Sequence, residues 1–207
     1  AGSVLFVFDV IVGSLSTAQA LLLDAYGAVG VEILGVFVAL ERTVAGVVAS
    51  AGPLAPVVAV GGTALILWLR DRVCGDDDQA RADFKVYLVA HSMGGLVVRC
   101  LLQNMAVATK QVRDCVDKVF TYGTPHNGIE MGGFNVPRAL GIWDINNFNR
   151  DNIAKTLDLA PRNGRVNHLD GHFPPERFMS LVGTNHKDYN LTRYAVGSMS
   201  DGLVKIE

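Results

Sequence analysis

Ser92 is the residue whose type and setting best fit covalent chemistry. It lies in LVAHSMGGLVV, residues 88–98, where a run of branched apolar residues gives way to a helical pattern. The spacing Ala90-x-Ser92-x-Gly94 is that of a nucleophile elbow, in which small residues let a strand reverse sharply into a helix and expose the serine hydroxyl. The amides that begin the helix, starting with Met93, can then donate to a developing oxyanion. The alternative is a serine whose hydroxyl only caps the helix.

Two other segments carry candidate site residues. TYGTPHNG, residues 121–128, follows a short apolar run and contains glycine and proline, which favour a loop. Asp201 lies in a Ser-Asp-Gly turn between two apolar runs. From the residues alone it is equally an acid that orients a histidine and a turn aspartate that bonds its own backbone.

Alternating strand and helix patterns must position these residues. Short apolar runs predict strands at 84–90, 118–122 and 177–183, and apolar spacing predicts a helix over 93–105. Strands separated by helices imply parallel pairing through right-handed crossovers, so the predicted class is α/β, a mostly parallel sheet flanked by helices. In such sheets chemistry lies outside the carboxyl ends of the strands, where Ser92 falls.

The segments LVAHSMGG, TYGTPHNG and SDGLV occur in the order found in the lipase and esterase branch of the α/β-hydrolase fold. Over residues 60–207 the chain resembles that family, including triacylglycerol lipases and relatives of the GPI inositol-deacylases. The resemblance implies that Ser92 is the nucleophile, that the Met93 amide is an oxyanion donor and that Asp201 is the acid of a Ser-His-Asp triad. It implies hydrolysis of carboxylic esters through an acyl-enzyme.

The resemblance also implies that His91, Thr124 and His126 line the site. In the family the triad histidine follows the acid, which argues against His126 as the base. No histidine follows Asp201. We therefore expect the chain to be a fragment, with the base beyond its last residue. No His-Gly pair is present, so the second oxyanion donor is not identified.

Composition limits the other classes of function. The chain has 207 residues with 50% hydrophobic content, which suits one domain with a sizeable core. A net charge of −2 and a pI near 6.2 give no basic face, so nucleic acid is not an expected partner. Cys74, Cys100 and Cys115 lack the spacing of a disulfide framework or a zinc site. Neither a metal nor an organic cofactor is expected.

Residues 1–59 form an apolar N-terminal segment that we leave unassigned, and residues 60–207 form the predicted hydrolase core. Residues 43–69 carry no charge, but the run is interrupted by Gly52, Pro53, Pro56, Gly61 and Gly62. A buried helix over 63–73, capped by Thr63, is favoured over a membrane span. A cytoplasmic and a membrane-associated location both stay open.

Residues 128–176 are too long for a simple connection and are interpreted as a lid-like insertion. Aromatic residues on a mobile cover suit an acyl chain, and the alternative is an ordered surface loop whose aromatic residues are fixed in the domain. The expected partner is a small-molecule ester or lipid, with a membrane surface left open. Two other classes remain: a non-catalytic scaffold for binding and a membrane-anchored relative.

Overall fold

The computed structural model describes residues 4–8 (backbone only), 54–107, 109–131, 134–135 and 148–183. The helices are α1 (Leu54–Cys74), α2 (Asp78–Asp83), α3 (Met93–Gln103), α4 (Lys110–Cys115) and α5 (Arg150–Leu157), with a 3-10 turn at Pro175–Arg177. The strands are β1 (Val4–Phe8), β2 (Val86–His91), β3 (Val116–Tyr122), β4 (Glu130–Met131), β5 (Phe134–Asn135) and β6 (Phe178–Leu181).

Four strands form a parallel sheet in the order β1-β2-β3-β6. The central pair, β2 and β3, is connected through α3, as parallel pairing requires. The predicted α/β class with a mostly parallel sheet flanked by helices is therefore confirmed. The three predicted strands correspond to β2, β3 and β6, and the predicted helix corresponds to α3.

The core lies between the sheet and a layer formed by α1 and α3. Alternate residues of β2 are buried, and the last ten residues of α3 are all buried. α1 packs against α3, and α3 packs against β2 and α5. Burial of α3 on all sides fixes the start of this helix, which directly follows Ser92.

The predicted start of the first described helix is wrong. The helix begins at Leu54, not at Thr63, and continues through both glycines at 61 and 62. Pro56 lies in the first turn, where backbone N–H groups have no intrahelical acceptor. The missing N–H of proline therefore costs no hydrogen bond there. Each interior glycine costs about 0.5–1 kcal/mol relative to alanine. Burial of apolar residues on α1 offsets that cost; these are Ala59, Leu65, Ile66 and Leu69.

Two aromatic residues of the predicted lid-like insertion pack on the core. Phe173 is 4% exposed within the main cluster, and Phe148 packs against that cluster. These two therefore behave as fixed parts of the domain. The side chain of Phe134 and all of Trp143 lie outside the described residues, so the prediction that these two belong to a lid stays a prediction.

Among the described residues, no helix combines the length and apolar character needed to cross a membrane. The uncharged run thus contributes the buried helix α1 from Leu54 onward, while its earlier part lies outside the described residues. All three cysteines are free thiols.

Candidate active site at the end of β2

Ser92 occupies the sharp turn between β2 and α3. Its backbone has φ 52° and ψ −126°, a left-handed φ that few non-glycine residues adopt. Such a conformation costs about 1–3 kcal/mol and persists only where neighbouring structure holds it. Here the Ser92 N–H donates to the carbonyl of Tyr122 at 3.1 Å, and the Gly95 N–H donates to the carbonyl of Ser92 at 3.2 Å.

The hydroxyl of Ser92 does not cap the helix that follows. Ser92 is at the N-cap position of α3, yet its side chain makes no capping hydrogen bond. The capping alternative raised by the sequence is therefore not what the structure shows. Strand, strained turn and helix occur in the order that a nucleophile elbow requires.

The start of α3 lies against the loop that follows β3. A Cβ on Gly95 would lie 2.8 Å from Thr124 Cβ and closer still to the Thr124 hydroxyl. Only a glycine permits this approach. Thr124 is 2% exposed, and its hydroxyl has no hydrogen-bond partner among the described residues.

His126 is held in the loop by contacts on both sides of its ring. Its Nε2 and the hydroxyl of Thr121 share a hydrogen bond of 2.9 Å, and the ring meets Phe178 edge-on at 5.6 Å between centroids. Burial, and to a smaller extent the charge of Arg99, lower the pKa of His126 to about 3. A neutral imidazole with so low a pKa is a weak base at neutral pH, which agrees with the expectation that His126 is not the triad histidine.

His91 and Tyr122 form an aromatic pair beside Ser92. They are paired positions of β2 and β3, and their rings stack with centroids 4.6 Å apart and planes 24° apart. Tyr122 is 37% exposed, so the pair reaches the surface at the carboxyl end of the sheet. This is the edge at which sheets of this type hold their ligands.

Sequence analysis missed Arg99, the most buried charged residue described. It is 1% exposed on α3 and donates four hydrogen bonds, one of them to the carbonyl of His126 at 2.9 Å. The sequence did contain one indication: Arg99 is the only charged residue between Gly94 and Leu102, a stretch of helix that is otherwise apolar. A charge in such a helix has to be buried with its own set of acceptors.

The structure brings Ser92, Met93, His91, Thr124 and His126 to one end of the sheet. Met93 begins α3, which is where the proposed oxyanion amide should lie. Asp201 lies outside the described residues, so its predicted role is untested. Within the described part of the chain, no group of three or more histidine, cysteine or acidic side chains is arranged to hold a metal.

Comparison with known proteins gives one match. Residues 65–133 match the family described as PGAP1-like alpha/beta domain, a stretch that includes the elbow, α3, β3 and the loop with Thr124 and His126. No curated protein and no solved structure shows a significant match to the chain. The match and the parallel sheet together support an α/β-hydrolase-type family for this part of the chain.

Proposed function

We propose that this protein is a serine hydrolase that cleaves carboxylic esters by acyl transfer, with Ser92 as the nucleophile. The backbone of Ser92 carries the proposal: a serine with φ 52° between a parallel strand and a buried helix, whose hydroxyl caps nothing. A strained residue maintained at the ligand-binding edge of a sheet points to a functional reason for the strain.

In the proposed reaction the Ser92 oxygen attacks the ester carbonyl carbon while a histidine accepts the hydroxyl proton. The resulting oxyanion is stabilised by backbone amides at the start of α3, that of Met93 first. When the intermediate collapses, the bond to the leaving alcohol breaks and the histidine returns the proton to that alcohol. Water, deprotonated by the same histidine, then releases the acid and restores Ser92.

We assign Asp201 as the acid that orients this histidine, and place the histidine itself outside the described residues. His126 is excluded from the role in this proposal because its Nε2 is engaged by Thr121 and its pKa is lowered to about 3. Ester substrates, including lipids, are preferred over amides and thioesters on the resemblance to lipases and esterases, since all three classes use the same triad.

Fluorophosphonate labelling followed by intact mass measurement tests this proposal. An alkyl fluorophosphonate phosphonylates only a serine that has been activated as a nucleophile. The parent protein for this test includes the segment that carries the triad histidine. We expect one adduct on this parent and none on its Ser92→Ala variant. Ser180→Ala is the matched control, because Ser180 is an exposed serine on β6, which β3 separates from β2, and its loss should leave the adduct in place.

Labelling that survives in Ser92→Ala would overturn the assignment of the nucleophile. Absence of labelling in the parent would contradict the proposed hydrolase and favour a non-catalytic scaffold that binds ligands at the same edge of the sheet. If Ser92 is labelled, hydrolysis rates for p-nitrophenyl esters and the corresponding p-nitroanilides test the ester preference. Faster cleavage of the anilides would contradict it.

A further inference from the structure

Arg99 is a buried cation that none of the steps above uses. It lies on α3 seven residues after Ser92, about two helical turns along, and it is 1% exposed. Burial lowers the pKa of its guanidinium to about 9, so the group stays charged at neutral pH. A buried charge is costly unless hydrogen bonds compensate it, so its partners define what it does.

Among the described residues, the hydrogen-bond acceptors of Arg99 are neutral oxygen atoms. Nη1 donates to the carbonyl of His126 at 2.9 Å, and Nη2 donates to the carbonyls of Val166 at 2.6 Å and His168 at 2.9 Å. Nε donates to Oε1 of Gln103 at 2.8 Å. Among the described residues no carboxylate pairs with Arg99. Because the planar guanidinium donates in fixed directions, it holds two backbone segments, the loop at His126 and residues 166–168, at a set geometry.

The segment that carries the His126 carbonyl is the loop beside Ser92. This loop, residues 123–128, continues directly from Tyr122, whose carbonyl accepts from the Ser92 N–H. It meets α3 twice: Thr124 packs on Gly95 in the first turn, and the His126 carbonyl meets Arg99 in the second. Between these contacts the loop is closed by its own hydrogen bond, from the His126 N–H to the Thr124 carbonyl at 2.9 Å.

We propose that Arg99 is a positioning residue, whose guanidinium fixes the loop of residues 123–128 relative to Ser92 by holding the carbonyl of His126. The role in catalysis rests on the proposed function, in which this loop lines the site of acyl transfer. Without the guanidinium, the loop loses the hydrogen bond from α3 to the His126 carbonyl, while the packing of Thr124 on Gly95 remains. Loop and nucleophile then lose their fixed relative placement.

Gln103 provides a matched control for Arg99. It is buried on the same helix, accepts from Arg99 and donates to the same His168 carbonyl at 2.9 Å, but it makes no hydrogen bond to the loop of residues 123–128. Gln103→Met therefore removes buried hydrogen bonds from the same network without releasing the loop. If the network had only a structural role, substitutions at Arg99 and at Gln103 that cost the same stability would have the same effect on labelling and on hydrogen exchange.

The test compares Arg99→Lys with Gln103→Met at a temperature where circular dichroism shows both to be fully folded. Lysine keeps the charge but cannot hold three carbonyls with a planar fork. We expect fluorophosphonate labelling of Ser92 to slow by roughly 10-fold to 100-fold in Arg99→Lys, as displacement of site geometry does, and by less than about 2-fold in Gln103→Met. If lysine does not fold, Arg99→Gln is the second variant.

Hydrogen exchange on the same proteins gives a readout that needs no activity. In the Arg99 variant we expect faster exchange at the amides of His126 and Gly128, which close the loop, with exchange in the β2–β3 ladder unchanged. Unaltered exchange at these amides, or an equal change in Gln103→Met, would overturn the positioning role. If exchange changes as expected but the parent chain is not labelled, the positioning of the loop stands and the proposed function fails.

Discussion

Gly95 and Thr124 pack so closely that residue 95 has no room for a side chain, and the elbow requires glycine there. Thr124 is buried, and it follows β3 at the point where the Tyr122 carbonyl holds the Ser92 N–H. The backbone of Ser92 and the packing on Gly95 are therefore parts of the same junction between β3 and α3. Any side chain at Gly95 has to push this junction apart.

Gly95→Ala should accordingly reduce both stability and reactivity. The added Cβ would lie 2.8 Å from Thr124 Cβ, so the loop or the helix has to move. We expect a loss of about 1–3 kcal/mol in the free energy of unfolding, as for overpacked cores, and slower fluorophosphonate labelling of Ser92. Urea unfolding and labelling kinetics measure the two effects.

Gly164→Ala is the control for this prediction. Gly164 has φ 71° with no atom within 4 Å of an added Cβ, so alanine there is strained in its backbone but meets nothing. It should lose stability while labelling stays at the parental rate. Labelling of Gly95→Ala at the parental rate would show that the approach of Thr124 does not matter to the elbow.

At the scale of elements, α3 protects its cysteine from solvent. Cys100 is fully buried, its Sγ contacts the Thr156 carbonyl at 3.4 Å, and burial raises the pKa of the thiol to about 12. Cys115 at the end of α4 is 5% exposed, and burial also raises the pKa of its thiol. Cys74, at the end of α1, is only half-buried.

Alkylation of the native protein with iodoacetamide should thus modify Cys74 first. The thiolate is the reacting form, so thiols that are both buried and held neutral react slowly. Peptide mass mapping over a time course follows each cysteine, and a sample unfolded in urea should show all three reacting at similar rates. Early modification of Cys100 in the native sample would mean that α3 opens readily.

Sequence patterns predicted those elements whose signal is local. Strand β2 and helix α3 follow from an apolar run beside a helical repeat, and β3 from an apolar run that ends at glycine and proline. The start of α1 was not predictable in this way. Pro56 and the glycines at 61 and 62 disfavour a helix locally, and only packing of α1 against α3 overrides them.

The residues of the candidate site show the same difference between local and long-range signals. Ser92 was identified from the sequence as a candidate because the elbow is a local motif. The network of Arg99 was not, since its acceptors at 126, 166 and 168 are far away in sequence and are backbone carbonyls, which any residue type supplies. A residue whose hydrogen bonds go to backbone carbonyls far away in the sequence produces no motif from which its role could be predicted.

For the whole molecule, His126 couples stability to pH. An unfolded histidine binds a proton near pH 6.5, whereas the pKa of His126 in the folded protein is about 3. Between these values the unfolded state carries a proton that the folded state excludes. The contribution of His126 is thus fully present above pH 6.5 and declines as the pH falls toward 3, by on the order of 1 kcal/mol per pH unit.

His126→Gln should flatten this dependence. Glutamine retains a polar side chain in the loop but does not titrate, so the slope of unfolding free energy against pH should fall by the equivalent of one proton. Urea unfolding of the parent and the variant between pH 4 and pH 7 measures both slopes. Identical slopes would show that His126 is accessible to protons in the folded state.

The order of strands in the sheet has a consequence for biosynthesis. Among the described strands β1 pairs with β2, where Val4 is opposite Val86, although the two strands are far apart in the chain. During translation β1 therefore emerges well before β2. The unit of β2, α3 and β3 is continuous in the chain and can assemble as soon as it leaves the ribosome. The nucleophile turn thus belongs to a segment whose contacts are local in the chain, and pairing with β1 adds a long-range contact to it.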